Sequence, residues 1–293
     1  MRGAPEMDVE LCKRVIEESF PQIHVDSVTQ ALGGWASDVF EVNTRLIFRF
    51  PKRPERERAT QMEISLLPEL SKALSVQIPH FEFIGEHDDK VFIGYRKVPG
   101  IPLASCNYSR GNLAAQLAKI ITEMHHFPVH TATKLKVPKL NWRREYEEFY
   151  SRVKDTAFPL MNKSLQERAA SVWEGFLEND DNFQFESVFI HRDLSGDQHI
   201  LYDPERAEIT GIIDWEDAAI GDPAIDFTGI YWDCRAEFAK RVLARYGGKV
   251  DKTFWERTIF YYKIGAFHEI AYGQLINDDA HIEDGLKHLS KVL

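Results

Sequence analysis

Apolar positions along the first third of the chain change from helical spacing to alternation. In residues 7–20 they recur at the spacing of one helix face, which predicts a short amphipathic helix. From about 24 to 50, apolar and polar residues alternate in HVDSVTQAL, DVFEV and RLIFRF, which is the period of strands. Asn43 and Thr44 separate the last two segments and predict a hairpin turn.

A helix over 55–74 and a second set of strands over 78–98 complete a mostly antiparallel sheet with one inserted helix. Proline and glycine then interrupt the chain at 99–102. Beyond that point helical spacing dominates, and strands return over 187–213. The predicted helices cover 110–126, 142–157, 164–178, 224–246, 252–276 and 281–292. The fold class is therefore mixed α/β (α+β), with a small β-rich lobe over 1–97 and a larger, mainly helical lobe over 98–293.

Composition indicates a folded chain in a reducing compartment. Hydrophobic residues make up 44% of the 293 residues, and no apolar run approaches the roughly 20 residues that cross a bilayer. The first residues lack the apolar core of a signal peptide, and the three cysteines form no CxxC pair. We therefore expect a cytoplasmic protein with no membrane partner, and a monomer.

The net charge of −10 narrows the class of partner. Nucleic-acid binders usually present a basic face, so this balance argues against a nucleic acid. An acidic cleft concentrates cations, so the charge suits a cationic small substrate, although it also serves solubility.

Two polar clusters follow predicted strands. In FIHRDLSGDQHILYD (189–203), a loop that contains Asp193 lies between two short apolar segments. In ITGIIDWEDAAIGDPAIDF (209–227), a strand ends at Asp214. A turn at 203–206 folds the second strand back on the first, so the two carboxylates should emerge close together. Paired carboxylates suit Mg²⁺, which prefers oxygen ligands and keeps substrate phosphates in its shell.

These motifs resemble those of the aminoglycoside phosphotransferase family, the kinase-like antibiotic kinases. LIFRFPKR (46–53), GYRKVPGIPL (94–103), YGQLINDDAHIEDGL (272–286) and the His that follows the loop are similar to its 2''-phosphotransferase branch. The resemblance implies a two-lobed protein-kinase-like fold with ATP or GTP between the lobes. It also implies Mg²⁺-dependent transfer of the γ-phosphate to a hydroxyl of an aminoglycoside antibiotic, which confers resistance.

The resemblance also implies roles for the motif residues. Asp193 positions and deprotonates the acceptor hydroxyl, and Asp214 holds Mg²⁺ against the phosphates. His199 is the second metal ligand, because it stands directly before the Ile-Leu of the next strand, although Gln198 has the usual spacing from Asp193. Imidazole is a softer ligand than Mg²⁺ normally selects, so Gln198 stays an alternative.

The small lobe should contribute the nucleotide contacts. Arg49 stands at the position where the family has Lys; it should clamp the phosphates and pair with Glu63 on the next helix. GGWASD (33–38) takes the place of a glycine-rich loop, with Ser37 near the phosphates. The lobe connection should line the base, with Tyr95 limiting the pocket depth and backbone groups offered by Arg96, Lys97 and Val98.

Acidic side chains are the candidates for a cationic acceptor. They are Asp197, Glu216, Asp217, Asp233, Glu237, Glu269, Asp278 and Asp279, of which Asp197, Asp233, Glu237 and Glu269 are preferred. A macrolide, homoserine or choline-like acceptor keeps the same chemistry, and a non-catalytic nucleotide-binding protein is the alternative from another class. A protein kinase is disfavoured, because the chain between Asp214 and Asp226 is too short for an activation segment.

Overall fold

The computed structural model describes residues 7–31, 37–106 and 112–293. Its first part is an antiparallel sheet with two helices, in the order α1 (Val9–Ser19), β1 (Val28–Gln30), β2 (Ser37–Val42), β3 (Leu46–Pro51), α2 (Pro54–Leu70), β4 (Phe81–His87) and β5 (Lys90–Arg96). The strands are ordered β1-β2-β3-β5-β4, so β3 lies at the centre.

Two tight turns set the register of this sheet. Asn43 and Thr44 have φ values of 52° and 58°, and they connect β2 to β3 as the alternating pattern predicts. Asp88 and Asp89, with φ values of 49° and 59°, connect β4 to β5 in the same way. Consecutive left-handed residues match the twist of a two-residue hairpin, for which Asn and Asp are well suited.

The apolar residues of this part divide between two cores. Ile16 of α1 packs with Phe40, Phe48 and Phe92 on one face of the sheet. The apolar residues of α2 and of the segment that follows it lie instead in the core of the helical part: Met62, Leu66, Leu67, Leu70, Leu74, Val76 and Ile78. The helix α2 therefore joins the sheet to the rest of the molecule.

The second part is mainly helical. Its elements are β6 (Ile101–Pro102), α3 (Leu113–His125), α4 (Val129–Lys134), α5 (Trp142–Thr156), α6 (Lys163–Glu178), β7 (Val188–Ile190), β8 (Ile200–Asp203), β9 (Glu208–Ile212), β10 (Ala219–Gly221), α7 (Thr228–Leu243), α8 (Phe254–Ile276) and α9 (Asp279–Val292). Short 3-10 turns cover Leu103–Ser105, Phe158–Leu160, Asp180–Phe183 and Pro223–Phe227. Within the described ranges, no helix combines the length and apolar content needed to cross a membrane.

Two small sheets in this part hold the polar loops. Strands β8 and β9 form the predicted hairpin, and β6 pairs with β8. Strand β10 pairs antiparallel with β7. The loop from His191 to His199 therefore starts at the end of β7 and returns into β8, while Asp214 follows β9. Both polar clusters lie where strands end, as the sequence predicts.

The sequence prediction was incomplete at α4 and β10, which are short, and wrong about a continuous helix over 224–246. A 3-10 turn over Pro223–Phe227 precedes α7, because Pro223 follows Asp222, whose side chain accepts the Ala224 N–H. Helix α7 is then broken at Arg235, which has φ 69° and ψ 156°. The lobe boundary between 97 and 98 stays a prediction.

Candidate active site

The start of the loop after β7 is fixed by one buried carboxylate. Asp226 accepts hydrogen bonds from the backbone N–H groups of His191, at 3.0 Å, and Arg192, at 2.7 Å. It also contacts Nε2 of His125 at 3.0 Å, and both side chains are fully buried. A charged acceptor for two backbone donors holds the chain firmly just before Asp193.

The middle of the loop rests on helix α7 and on the Leu103–Ser105 turn. The backbone N–H groups of Gly196 and Asp197 donate to Oδ2 of Asp233, at 2.8 and 3.3 Å. The Ala104 N–H donates to the Gly196 carbonyl at 2.7 Å. Gly229 of α7 lies so close that a Cβ there would overlap the Leu194 carbonyl oxygen. The loop is therefore clamped along most of its length.

His199 lies between the two carboxylates that the motifs singled out. Its Nδ1 is 3.9 Å from Oδ2 of Asp193, and its Nε2 is 3.7 Å from Oδ2 of Asp214. The imidazole is buried, while Gln198 is exposed. The Ile213 N–H donates to the His199 carbonyl at 3.0 Å, which fixes the end of β9 beside the loop. The predicted proximity of the two Asp residues is thus real, and of the two candidate positions His199 is the one between them.

The two carboxylates differ in environment. Partial burial raises the pKa of Asp193 to about 6, and Asp217 adds to the rise. The Asp193 side chain is still 62% exposed, so a small molecule can reach it. Burial would also raise the pKa of Asp214, but Arg49 and His199 outweigh it and hold that pKa below its usual value. Asp214 is therefore an anion suited to a metal, and Asp193 is a stronger base than an ordinary Asp.

Arg49 projects from the central strand β3 and is buried, whereas its neighbours Phe48 and Phe50 belong to the core on the other face. Its Nη1 donates to Oε1 of Glu63 at 3.2 Å, and its Nη2 lies 3.1 Å from Oε2 of the same residue. The predicted pair is therefore present. Burial opposes the charge of Arg49, but the surrounding carboxylates raise its pKa and keep it a cation.

Glu216 and Asp217 contact arginines of the sheet-rich part. Nη2 of Arg49 donates to Glu216 at 2.7 Å. Nη1 of Arg56, in the first turn of α2, donates to Glu216 at 3.2 Å and to Asp217 at 3.1 Å. These two carboxylates therefore tie the segment after β9 to β3 and α2, and their role as acceptor contacts stays a prediction.

The remaining nucleotide candidates divide into two groups. Ser37 is 3% exposed and its Oγ has no hydrogen-bond partner among the described residues, while positions 33–36 of the GGWASD segment lie outside them. Tyr95 is buried near Arg49, and burial raises its pKa well above the usual value. Ser37 pairs with Pro51 and Tyr95 pairs with Ile47, so both residues lie on the same face of the sheet as Arg49, one on each side of it along β3.

The lobe connection offers fewer free groups than the sequence suggested. The Lys97 N–H donates to the Arg45 carbonyl at 2.8 Å, so this amide is already used within the sheet. The Lys97 side chain pairs with Glu41. Arg96 pairs with Glu82 at 2.8 Å, and Val98 is buried against Gly211. The role of this segment in base contacts stays a prediction, and it would fall to backbone groups other than the Lys97 N–H.

The acceptor candidates are dispersed. Asp197 and Asp233 lie together at the clamped loop. Glu237 is exposed on α7, beyond the break at Arg235. Glu269 is on α8; burial raises its pKa, and its charged neighbours Asp284 and His281 belong to α9. Asp197 and Asp233 therefore lie at the loop that carries Asp193, whereas no contact connects Glu237 or Glu269 to that loop in the described part of the chain.

The residues present fit a magnesium ion held mostly by its substrate. Among the described residues, no three His, Cys, Asp or Glu side chains already form a metal site. Oδ1 of Asp214 is buried without a hydrogen-bond partner in the described part of the chain. Mg²⁺ is usually bound by one or two carboxylates and completes its shell with water and phosphate, so Asp214 fits it, and His199 would add a softer nitrogen ligand.

Asp226, His125 and Arg56 were not identified from the sequence. Asp226 stands in a segment, GDPAID, that marks only a turn on its own. Its partners are 34 and 35 positions away in the chain, and His125 is 101 positions away. Such contacts leave no local pattern, so only the folded chain shows them.

Comparisons with known proteins agree with this geometry. The sequence matches the family described as "Phosphotransferase enzyme family" over residues 27–259. A solved structure of APH(2'')-IIIa with GDP and kanamycin is 30% identical, with a TM-score of 0.89 over 95% of this chain and 97% of that chain. Viomycin phosphotransferase of Streptomyces vinaceus is 26% identical over 205 residues, which are 68% of this chain and 69% of that protein. A solved structure of APH(2'')-IIa with streptomycin and ATP, 19% identical with a TM-score of 0.72 over 98% and 97% of the two chains, shows likeness of fold alone. The predicted two-lobed kinase-like fold is confirmed.

Proposed function

This chain belongs to the phosphotransferase enzyme family, and we propose that it transfers the γ-phosphate of ATP or GTP to a hydroxyl of an aminoglycoside antibiotic and so confers resistance. The observation that carries this proposal is the placement of His199 between Asp193 and Asp214, with each carboxylate within 4 Å of the imidazole. Phosphoryl transfer depends on positioning and charge neutralisation, which such a rigid cluster provides.

Asp193 is the catalytic base in this proposal. It stands on the loop clamped by Asp226 and Asp233, it is exposed, and its pKa of about 6 leaves it ionised at neutral pH. An ionised carboxylate of this basicity can accept a hydrogen bond from the acceptor hydroxyl and orient its oxygen.

Asp214 and His199 would hold Mg²⁺, and the ion, when bound, neutralises charge on the phosphates. Asp214 contributes Oδ1, which accepts no hydrogen bond from the described residues. Arg49 of β3 lies 3.7 Å from Asp214, Ser37 stands on the neighbouring strand β2, and both would contact the phosphates. The base would lie against Tyr95 and the Arg96–Val98 segment.

The acceptor assignment rests on similarity and charge. APH(2'')-IIIa, which is 30% identical, has been solved with kanamycin, and this favours the 2''-hydroxyl of an aminoglycoside. The net charge of −10 and the carboxylates of Asp197 and Asp233 favour a cationic acceptor. Viomycin is a second candidate acceptor, because viomycin phosphotransferase is 26% identical over 205 residues.

We expect the protein to work in the cytoplasm as a monomer, where nucleoside triphosphates are available and the three cysteines, which are free, stay reduced. Light scattering of the purified protein would check the oligomeric state. The donor stays open between ATP and GTP, since GDP occupies the 30% identical structure and ATP the 19% identical one.

The test is phosphate transfer from ATP and from GTP with Mg²⁺. The acceptor panel contains kanamycin, gentamicin, viomycin, a macrolide, homoserine and choline, and Asp193→Asn is the control. We expect turnover on an aminoglycoside, a product phosphorylated at the 2''-hydroxyl, and loss of turnover in the variant with nucleotide binding retained. Turnover on only one of the other acceptors would identify that acceptor class, rather than an aminoglycoside, as the substrate. Nucleotide binding without turnover on any acceptor would favour a non-catalytic protein.

A further inference from the structure

Glu216 joins two arginines with a single buried carboxylate. Its Oε2 is 2.7 Å from Nη2 of Arg49, and its Oε1 is 3.2 Å from Nη1 of Arg56. Only 7% of its side chain is exposed. Both carboxylate oxygens are therefore engaged by cations of the sheet-rich part, although Glu216 itself follows β9 of the helical part.

The contact with Arg49 uses the part of the guanidinium that faces Asp214. Nη2 is the nitrogen 3.7 Å from Oδ1 of Asp214. Nη2 donates a hydrogen bond to Glu216 at 2.7 Å, and it lies 3.1 Å from Oε2 of Glu63, which accepts no hydrogen bond within the described residues. An anion held beside Asp214 would meet Arg49 at this nitrogen, where Glu216 now accepts the hydrogen bond.

The geometry points to Glu216 as a positioning residue that takes the place of a phosphate oxygen on Arg49 until the nucleotide arrives. This rests on the proposed function, because it requires that a nucleotide phosphate binds beside Asp214. Binding then exchanges one anion for another: the phosphate takes the Nη2 contact, and Glu216 keeps its contact with Arg56. Arg56 is 29% exposed and also bound to Asp217, so it remains anchored to the same segment after the exchange.

The net charge of the cluster predicts the direction in which the nucleotide Kd should change when Glu216 is replaced. Within the described residues, the ion pairs of this cluster join the four carboxyl groups of Glu63, Asp214, Glu216 and Asp217 to the two cations Arg49 and Arg56, which leaves two excess negative charges when all four are ionised. Two effects oppose phosphate binding here: repulsion by these negative charges, and the Glu216–Arg49 contact that must be broken. Replacing Glu216 with the neutral, equally long Gln removes one negative charge and reduces the contact with Arg49 to a neutral acceptor, so the nucleotide should bind more tightly.

The experiment measures the Kd of ATP and GTP without Mg²⁺, in EDTA, by calorimetry on the full chain. We expect Glu216→Gln to lower the Kd by about tenfold, which is the scale of one nearby charge in a partly screened site. The matched variant is Asp217→Asn, which removes the same charge from Arg56 but does not contact Arg49, and its Kd should fall by clearly less. Arg56→Gln should raise the Kd, because it leaves Glu216 to Arg49 alone.

The outcomes separate this inference from the proposed function. A Glu216→Gln protein that is folded by thermal unfolding but binds nucleotide no better than Asp217→Asn would overturn the exchange, whatever the turnover of the wild type. A residue with a merely structural role would give weaker binding when replaced, which is the opposite sign. Absence of ATP and GTP binding in both the wild type and Glu216→Gln, with both folded, would overturn the proposed function and the exchange together.

Discussion

The carboxylate of Asp233 accepts a hydrogen bond from the backbone N–H of Gly196 at 2.8 Å. Asp233 stands on α7 and Gly196 stands in the loop that carries Asp193, so this contact connects a helix to the proposed catalytic loop. From its charge alone, Asp233 was expected to bind a cationic acceptor. The structure shows that one of its oxygens is already used to hold the loop.

Replacing Asp233 with Ala should lower kcat by about tenfold or more, because two backbone donors of the loop lose their acceptor. Asp233→Asn keeps an oxygen at the same position and should retain most of kcat. If the charge also attracts the acceptor, Asp233→Asn should raise the KM of the acceptor. Steady-state kinetics of both variants would separate the roles, and equal kcat losses in Ala and Asn would argue against the loop contact.

Gly229→Ala should displace the same loop. A Cβ at Gly229 would lie 2.9 Å from the Cα of Ser195 and closer still to the Leu194 carbonyl oxygen, and neither backbone atom moves freely. We expect a loss of about 1–3 kcal/mol in the free energy of unfolding and a large fall in turnover.

Gly175→Ala on α6 is the matched control, because nothing lies within 4 Å of the added Cβ. It should raise the free energy of unfolding by up to about 1 kcal/mol, since Ala favours the helix, and leave turnover unchanged. Denaturant unfolding and turnover of the two variants give the comparison. Wild-type turnover in Gly229→Ala would contradict the close packing of α7 against the loop.

His199→Ala should raise the Mg²⁺ concentration at half-maximal turnover by about 10- to 100-fold, the range seen when groups around a bound metal are lost. His199→Asn supplies an amide oxygen, which suits Mg²⁺ as well as or better than imidazole, and its Mg²⁺ requirement should stay near that of the wild type. Turnover measured across a Mg²⁺ titration checks both. An unchanged requirement in His199→Ala would favour Gln198 as the ligand.

The Arg257–Asp251 pair should make stability depend on acid. Burial alone would raise the pKa of Asp251, but hydrogen bonds from Arg257 at 2.7 and 2.9 Å outweigh it and lower the pKa. Because the folded-state pKa lies below the unfolded value of roughly 4, the contribution is complete above that pH and is lost as the pH falls through the folded-state pKa.

The free energy of unfolding of Asp251→Asn should therefore be lower than that of the wild type at pH 7, and the two should converge at acid pH. Urea unfolding at several pH values measures this difference. A constant difference across the whole range would mean that the ion pair does not produce it.

Local signals explain why parts of the site could be predicted from the sequence. Apolar alternation and the turn at 203–206 place β9 against β8, and this brings Asp214 near the loop of Asp193. Alternation around Arg49 also explains why that side chain leaves the core face of β3 and meets Glu63 one helix later.

Contacts between distant segments could not be predicted in this way. Glu216 is 167 positions from Arg49, and no periodicity relates the two. Helix α7 breaks at Arg235, where no Gly or Pro in the sequence predicts a break. A φ of 69° at Arg is a conformation that the surrounding structure must enforce, so it leaves no local signal. Charge alone therefore could not reveal the contact of Glu216 with Arg49 or that of Asp233 with the loop.

The division of apolar residues between two cores determines which parts of the chain can separate from each other. Leu66 and Leu70 of α2 are buried in the core of the helical part, and the Ile212 N–H donates to the Gln77 carbonyl at 3.0 Å. A polypeptide that ends at residue 97 would expose the apolar face of α2 to solvent. It should therefore aggregate rather than fold as an independent unit. In the intact protein α2 packs with the helical part, so any displacement of the strands relative to α2 would have to break the contact between Arg49 of β3 and Glu63 of α2.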